Sequence, residues 1–307
     1  VAEGRPNHLV WIGAAGGRTL GNSSMLTVQI IINGLAMGAS LALVSIGLTL
    51  IFSILRVTNF AHGVLYMLGA YTVVYLCGTL GWNYFVALAA AGLLLAACGV
   101  LLELTLFSRF HGRLLEGAVM ALGVGLFVEA AAWIVFGGTP QSVGTPFPGV
   151  WKVGGVILHK HRIFVMLASA VLVGLLYLFV DYTRYGRAMR AMQQNAYAAR
   201  LQGIDVTRIS ILTFGLGGAL AGLAGGLMAP LQKMLPDMGA GPLLLAFVVI
   251  ILGGMGSIGG ALVAAIFIGM VQSVVISLWT PQLAVGVSFF LAMLILLVRP
   301  KGLFGHE

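Results

Sequence analysis

The feature that most constrains this chain is the recurrence of long, almost uncharged apolar runs, nine of them, at 25–54, 60–77, 84–107, 117–136, 163–180, 211–231, 242–253, 258–278 and 282–298. A membrane-crossing helix needs about 20 apolar residues, because roughly 30 Å of hydrocarbon is crossed at ~1.5 Å per residue. Most of the runs reach that length. The 307 residues are 60% hydrophobic and 8% charged, with a mean hydropathy of +1.07, whereas soluble domains carry about 25% charged residues. The sequence predicts an all-α, polytopic transmembrane helix bundle with eight to nine membrane segments. The run at 242–253 is short and enters Gly253-Gly254-Met255-Gly256-Ser257, so it is read as a half-helix or re-entrant element. Gly218-x-x-x-Gly222 and Gly222-x-x-x-Gly226 read as close helix packing.

Charge sets the expected orientation. The formal net charge of +8 comes from scarce acids and short basic connections, with no long Lys/Arg run and no aromatic platform, which argues against a nucleic-acid partner. Basic residues flank the cytoplasmic side of membrane segments. Arg184, Arg187, Arg190, Arg200 and Arg208, then Arg109 and Arg113, then Arg299 and Lys301, belong inside. With nine crossings the N-terminus lies outside and 137–162 is a large external loop, with alternation around Val150–Leu158 that suits a small hairpin. Lys152, Lys160 and Arg162 sit in that loop against the trend. Residues 1–24 read as a poorly ordered leader or upstream extension, with Met25 a candidate natural start, and 25–305 as one transmembrane domain. Cys77 and Cys98 lie in apolar stretches and read as packed free thiols.

The polar linker at about 184–208 reads as two short helices broken near Gly203. Met189, Met192, Ala196 and Ala199 recur at spacings of three and four, an apolar stripe that faces the cytoplasm and asks for a partner. An amphipathic helix lying on the membrane surface is the alternative. Ala198-Ala199-x-x-x-Gly203 resembles the coupling loop of ABC importer permeases, with Tyr197 standing where a Glu is usual.

Further stretches carry the resemblance along the chain. Asn33-Gly34-Leu35 through Gly47-Leu48-Thr49, Arg56-Val57-Thr58-Asn59-Phe60-Ala61-His62-Gly63, and Gly186-Arg187-Ala188-Met189-Arg190-Ala191 with Gly203-Ile204-Asp205-Val206 are similar to the branched-chain amino acid permease family, LivH type. So are Gly253-Gly254-Met255-Gly256-Ser257-Ile258-Gly259-Gly260 and Arg299-Pro300-Lys301-Gly302-Leu303-Phe304-Gly305. The resemblance runs from about Met25 to Gly305. It implies the pore-forming subunit of an ATP-driven, binding-protein-dependent importer for branched-chain amino acids in a bacterial inner membrane. The implied partners are two cytoplasmic ATPase subunits, a second related permease and a periplasmic substrate-binding protein, besides the lipid bilayer. It also implies coupling to the ATPases through Arg187, Arg190, Asn195, Ala198, Ala199 and Gly203.

Within the membrane segments, a few residues stand out as a substrate pathway. Asn59, Phe60, His62 and Gly63 place polar groups and a glycine between apolar runs, where a broken helix exposes backbone groups. The alternative is that Asn59 caps the following helix and His62 satisfies a carbonyl. Glu129 is ionisable at membrane depth and is a functional candidate by default, facing the pathway or pairing with Arg56 or His62. Glu103, near its segment's end, reads as an interface residue. Gly253, Gly254 and Gly256 are read as gating or lining. No nucleotide-binding G-x-x-x-x-G-K-[ST] loop, no ligand-spaced His/Cys/Asp/Glu cluster and no nucleophile–base pair is present in the sequence, so the expectation is a non-enzymatic subunit without cofactor or metal. Urea, short amides or aromatic acids as solutes, and an ion-coupled secondary transporter, remain the alternatives.

Overall fold

The computed structural model describes residues 20–153, 156–299 and 302–304. In chain order the helices are α1 (Leu20–Leu55), α2 (His62–Gly78), α3 (Tyr84–Thr105), α4 (Leu114–Phe136), α5 (Lys160–Tyr182), α6 (Arg184–Leu201), α7 (Val206–Met228), α8 (Ala240–Gly253), α9 (Ile258–Leu278) and α10 (Pro281–Val298). A hairpin of β1 (Val150–Val153) and β2 (Val156–His159), in antiparallel register with Trp151 opposite Leu158, fills the place where alternation predicted it. Each apolar run of the sequence coincides with one helix. Seven helices among the described residues are long and apolar enough to cross a membrane, while α2 and α8 are shorter.

Burial divides the helices into a centre and a rim. In α1 78% of the most apolar stretch is buried, and in α7 67%, against 17% in α4 and α10. The rim is covered with exposed Leu, Ile, Val and Phe, such as Leu115, Phe127, Ile134 and Leu297, an apolar surface of the kind that faces lipid or another membrane subunit. Glycine makes the centre possible. A Cβ on Gly225 of α7 would collide with the Tyr66 carbonyl oxygen of α2, and one on Gly222 would come within 2.6 Å of Leu95 Cβ of α3. The small-x-x-x-small pattern of α7 therefore serves backbone contact on two neighbours.

The two ends of the bundle differ in chemistry. At the basic end, the Gln193 amide of α6 donates to the Gly256 carbonyl (2.8 Å), and the backbone N–H of Leu303 donates to the Leu252 carbonyl (2.8 Å). The N–H of Phe304 donates to Gly253 (3.2 Å), so the terminal Gly302-Leu303-Phe304 turn satisfies carbonyls that α8 leaves open at its C-terminus. At the hairpin end, Phe147 packs against Phe85 and Phe164, with ring centroids 6.0 and 5.1 Å away. His161 Nε2 there donates to the Leu227 carbonyl (3.1 Å). Side-chain caps sit where polar surroundings begin: Asn83, Thr183, Asp205, Ser257 and Thr280 cap α3, α6, α7, α9 and α10.

Some expectations hold and others are corrected. The polar linker breaks near Gly203, between the end of α6 at Leu201 and the start of α7 at Val206, and a second time inside α6 at Asn195 (φ −158°, ψ 104°). Asn195 Oδ1 accepts from Ala198 N–H (3.0 Å) and so caps the second half of α6. Gly203 (φ +81°) closes that half, with Ile204 N–H donating to Ala199 and Gly203 N–H to Arg200, the two bonds of a Schellman ending. The Met stripe needs no outside partner, because Met189, Met192 and Ala199 are buried against the bundle itself. The longest exposed stretch of α6 is Gln193 to Ala198, with Tyr197 73% accessible. Glu103, read as an interface residue, stands in the last turn of α3, 1% exposed and 2.7 Å from His111. Of the leader expected over 1–24, residues 1–19 lie outside the described residues and 20–24 already belong to α1.

Candidate solute site

The site is built from the two short helices. After Leu55 the chain leaves α1 at Arg56 (φ +53°) and turns back into the bundle. Asn59 holds the turn, its Oδ1 accepting from Ala61 N–H (3.1 Å) while its carbonyl accepts from His62 N–H (3.2 Å). His62 Nε2 then donates to the Val44 carbonyl of α1 (3.1 Å), about 16 Å back along α1 from Leu55 at ~1.5 Å per residue. So α2 starts at depth. Asn59 and His62 are fully buried, and Asn59 Nδ2 and His62 Nδ1 have no hydrogen-bond partner among the described residues.

The second short helix meets the first there. Gly239, the residue before α8, abuts Gly63 so closely that a Cβ on Gly63 would sit 2.7 Å from the Gly239 carbonyl oxygen and 3.0 Å from Leu243 Cβ. Phe60 stacks obliquely on Phe247 of α8, ring centroids 4.9 Å apart. Neither α2 nor α8 has a side-chain cap hydrogen bond. The first N–H groups of the two helices are given to the Asn59 and Asp237 carbonyls and Pro242 in the first turn of α8 has none, so what converges inside the bundle is two helix N-termini, each the positive end of a helix dipole. Such paired half-helices hold polar solutes at mid-membrane in transport proteins.

The other sequence candidates are placed apart. Glu129 of α4 is partly exposed, one turn beyond Gly125, which packs beside the Phe60 carbonyl at 3.6 Å from its would-be Cβ. Glu129 is in no ion pair among the described residues, with Arg56 and His62 included. Gly253, Gly254 (φ +96°) and Gly256 (φ +98°) lie at the basic end, about 21 Å from the Gly63–Gly239 joint along the 14 residues of α8. Gly253 lies against Gly260 of α9, 2.5 Å from its carbonyl carbon to the Cβ a side chain would add.

The linker residues gather on α6. Arg190 pairs with Asp181 of α5, Arg187 reaches the Tyr182 carbonyl (3.4 Å), and Asn195 and Ala198 are exposed whereas Ala199 is buried. Around them a cavity of about 480 Å³ is bordered by Arg56, His111, Asn195, Tyr197 and Arg200. Sequence reading missed the hairpin-end cluster of Asn33, Arg162, Tyr66 and Gln232. In the sequence Arg162 reads only as a loop charge and Gln232 falls just past an apolar run, so only their placement around one cavity in three dimensions connects Asn33, Arg162 and Gln232, with Tyr66 joined through its hydroxyl.

A family model described as branched-chain amino acid transport system / permease component matches residues 30–298. The chain belongs to this family. The permease is 30% identical over 295 residues to the high-affinity branched-chain amino acid transport system permease protein BraD of Pseudomonas aeruginosa, covering 91% of this chain and 96% of that relative. It is 30% identical over 296 residues to LivH of Escherichia coli K12, with the same coverage. It is also 28% identical over 253 residues to LivM of Salmonella typhimurium, covering 74% of the permease and 59% of LivM. No solved structure matches the permease. Seven membrane-spanning candidates make it a multi-pass membrane transport protein.

Proposed function

We propose that this permease is the pore-forming subunit of an ATP-driven, binding-protein-dependent importer that moves branched-chain amino acids across a bacterial inner membrane. The observation that carries the reading is the convergence of the uncapped N-termini of α2 and α8 at Gly63 and Gly239. The positive ends of the two helix dipoles there can solvate a polar solute for a moment without a buried charge to trap it, and Asn59 Nδ2 and His62 Nδ1, without a partner among the described residues, lie in the same turn. Tight selection then belongs to the binding protein.

The work enters at the opposite end. Two ATPase subunits engage the exposed face of α6 around Asn195, Tyr197 and Ala198, and Gly203 with Ile204 holds the corner that returns the chain to α7. Their motion passes along two links, the Arg190–Asp181 pair to α5 and the Gln193–Gly256 bond to the α8–α9 turn. Pulling on that turn shifts α8 and opens or closes the Gly63–Gly239 joint, with Gly253, Gly254 and Gly256 supplying the bend. The exposed apolar rim fits a second, related permease as the other half of the pore, a pairing supported by similarity to both LivH and LivM.

The test is uptake of labelled leucine and urea into proteoliposomes that hold the permease with its co-purifying subunits, ATP inside and the binding protein outside. Leucine accumulation that requires both is the expected result. Uptake of urea alone would replace the solute, and uptake driven by an ion gradient without ATP would overturn the importer.

A further inference from the structure

At the hairpin end a cavity of about 270 Å³ opens between α1, α5, α9 and the residues that follow α7. It is slightly below the ~300–1,000 Å³ of pockets for drug-sized ligands, a volume for a small metabolite. Its polar side chains are Asn33, Arg162, Gln232, Ser273 and Ser277, and the rest of its wall is apolar, including Val165, Met228 and Ile276. No acidic residue borders it among the described residues.

Arg162 decides what the cavity can take. Its guanidinium is half-buried and in no ion pair among the described residues. One nitrogen, Nη1, donates to Asn33 Oδ1 of α1, which fixes the plane of the fork. A guanidinium has five N–H donors and no acceptor, so the remaining donors are left for an anion. The hydroxyl protons of Ser273 and Ser277 are already given to the Ile30 and Val274 carbonyls (2.7 Å each), which leaves those oxygens as acceptors beside the fork. Gln232 donates to the Tyr66 hydroxyl (3.0 Å), and Tyr66 is one turn from Gly63, so the cavity adjoins the joint of the two short helices.

From this geometry we propose that the cavity is a carboxylate-binding vestibule for α-amino acids, rested on the transport reading above. Arg162, oriented by Asn33, takes the solute's carboxylate; Ser273 and Ser277 oxygens accept from its ammonium group; Val165, Met228 and Ile276 face its aliphatic side chain. A neutral urea or amide gives Arg162 nothing to pair with, so the vestibule selects against such solutes before they reach the joint.

The test measures ATP-driven uptake of leucine, with leucinamide as competitor, by the assembled transporter carrying wild-type permease, Arg162→Gln, Arg162→Lys or Asn33→Ala. Wild type is expected to move leucine and to ignore leucinamide. Arg162→Gln raises the apparent KM for leucine by about tenfold or more, the factor that ~1.4 kcal/mol represents. Asn33→Ala gives a smaller rise. Leucine kinetics within about twofold of wild type in Arg162→Gln, with ~0.4 kcal/mol the matching energy, would overturn the vestibule while leaving the importer standing. If that variant does not assemble, Arg162→Lys decides: it keeps the charge and loses the fork, so a raised KM supports the site and an unchanged one overturns it. A wild type that moves no amino acid removes the transport reading itself, and the vestibule with it.

Discussion

At the scale of single residues, what matters is what each side chain leaves unpaired when its partner is removed. Glu103 is buried and His111 is the group beside it, 2.7 Å away, with the other carboxylate oxygen unpartnered. Taking away His111 leaves a buried carboxyl group without its partner, whereas Glu103→Gln leaves an imidazole that is 28% exposed and can turn to water. His111→Ala is therefore expected to lower the thermal unfolding temperature of the detergent-purified permease more than Glu103→Gln does, and a larger loss in Glu103→Gln would contradict this account. Glycine gives a second contrast. Gly225→Ala must push α2 off α7, since its Cβ collides with the Tyr66 carbonyl, at a cost of about 1–3 kcal/mol as in other overpacked cores. Gly174 of α5 has nothing within 4 Å of its would-be Cβ, so Gly174→Ala should be neutral or stabilising by up to ~1 kcal/mol. Equal unfolding temperatures for the two variants would refute the close-packing argument. Arg162 shows how charge counting misleads: it looked like an exception to cytoplasmic bias, but it is tied to Asn33 in a cavity, and Lys160 lies 6.0 Å from the Trp151 ring. Two of the three anomalous charges thus have local occupations.

At the scale of elements, the apolar runs were legible because ~20 residues of hydrocarbon-compatible sequence have few alternatives to a helix in a bilayer. The hairpin was legible from its alternation, and the shortness of α8 from the glycines after it. The shortness of α2 was not, since 60–77 reads as a full run and only the Asn59 turn, with the His62 bond to Val44, shows where the helix starts. The Met stripe of α6 was legible as a stripe but not as to its partner, because an amphipathic helix carries no mark of which apolar surface covers it. The site was half legible: Asn59, Phe60, His62 and Gly63 were singled out, whereas Gly239, which meets them, lies 176 positions from Gly63 by subtraction of the two residue numbers and has no sequence signal of its own. One element-level prediction follows from the Gln193–Gly256 bond. Gln193→Ala should leave assembly and ATP hydrolysis near wild type and reduce leucine uptake severalfold, read as fewer molecules moved per ATP; an unchanged ratio would remove this link from the coupling route.

At the scale of the whole molecule, charge and geometry agree on polarity: the basic linker, the Gly254–Ser257 turn and the C-terminal turn share one end, and the hairpin takes the other. A single-cysteine permease, made on a background without Cys77 and Cys98, tests the expected orientation. Ser142→Cys should react with a membrane-impermeant maleimide in intact cells and Tyr197→Cys only after the membrane is opened; the reverse pattern would invert the orientation. The brevity of α8 bears on how the chain enters its membrane at all. Fourteen residues span about 21 Å, less than the roughly 30 Å of hydrocarbon, so this helix has no stable place in lipid until α2 and α9 are there to bury its ends. Its insertion is therefore expected to wait for its neighbours during synthesis.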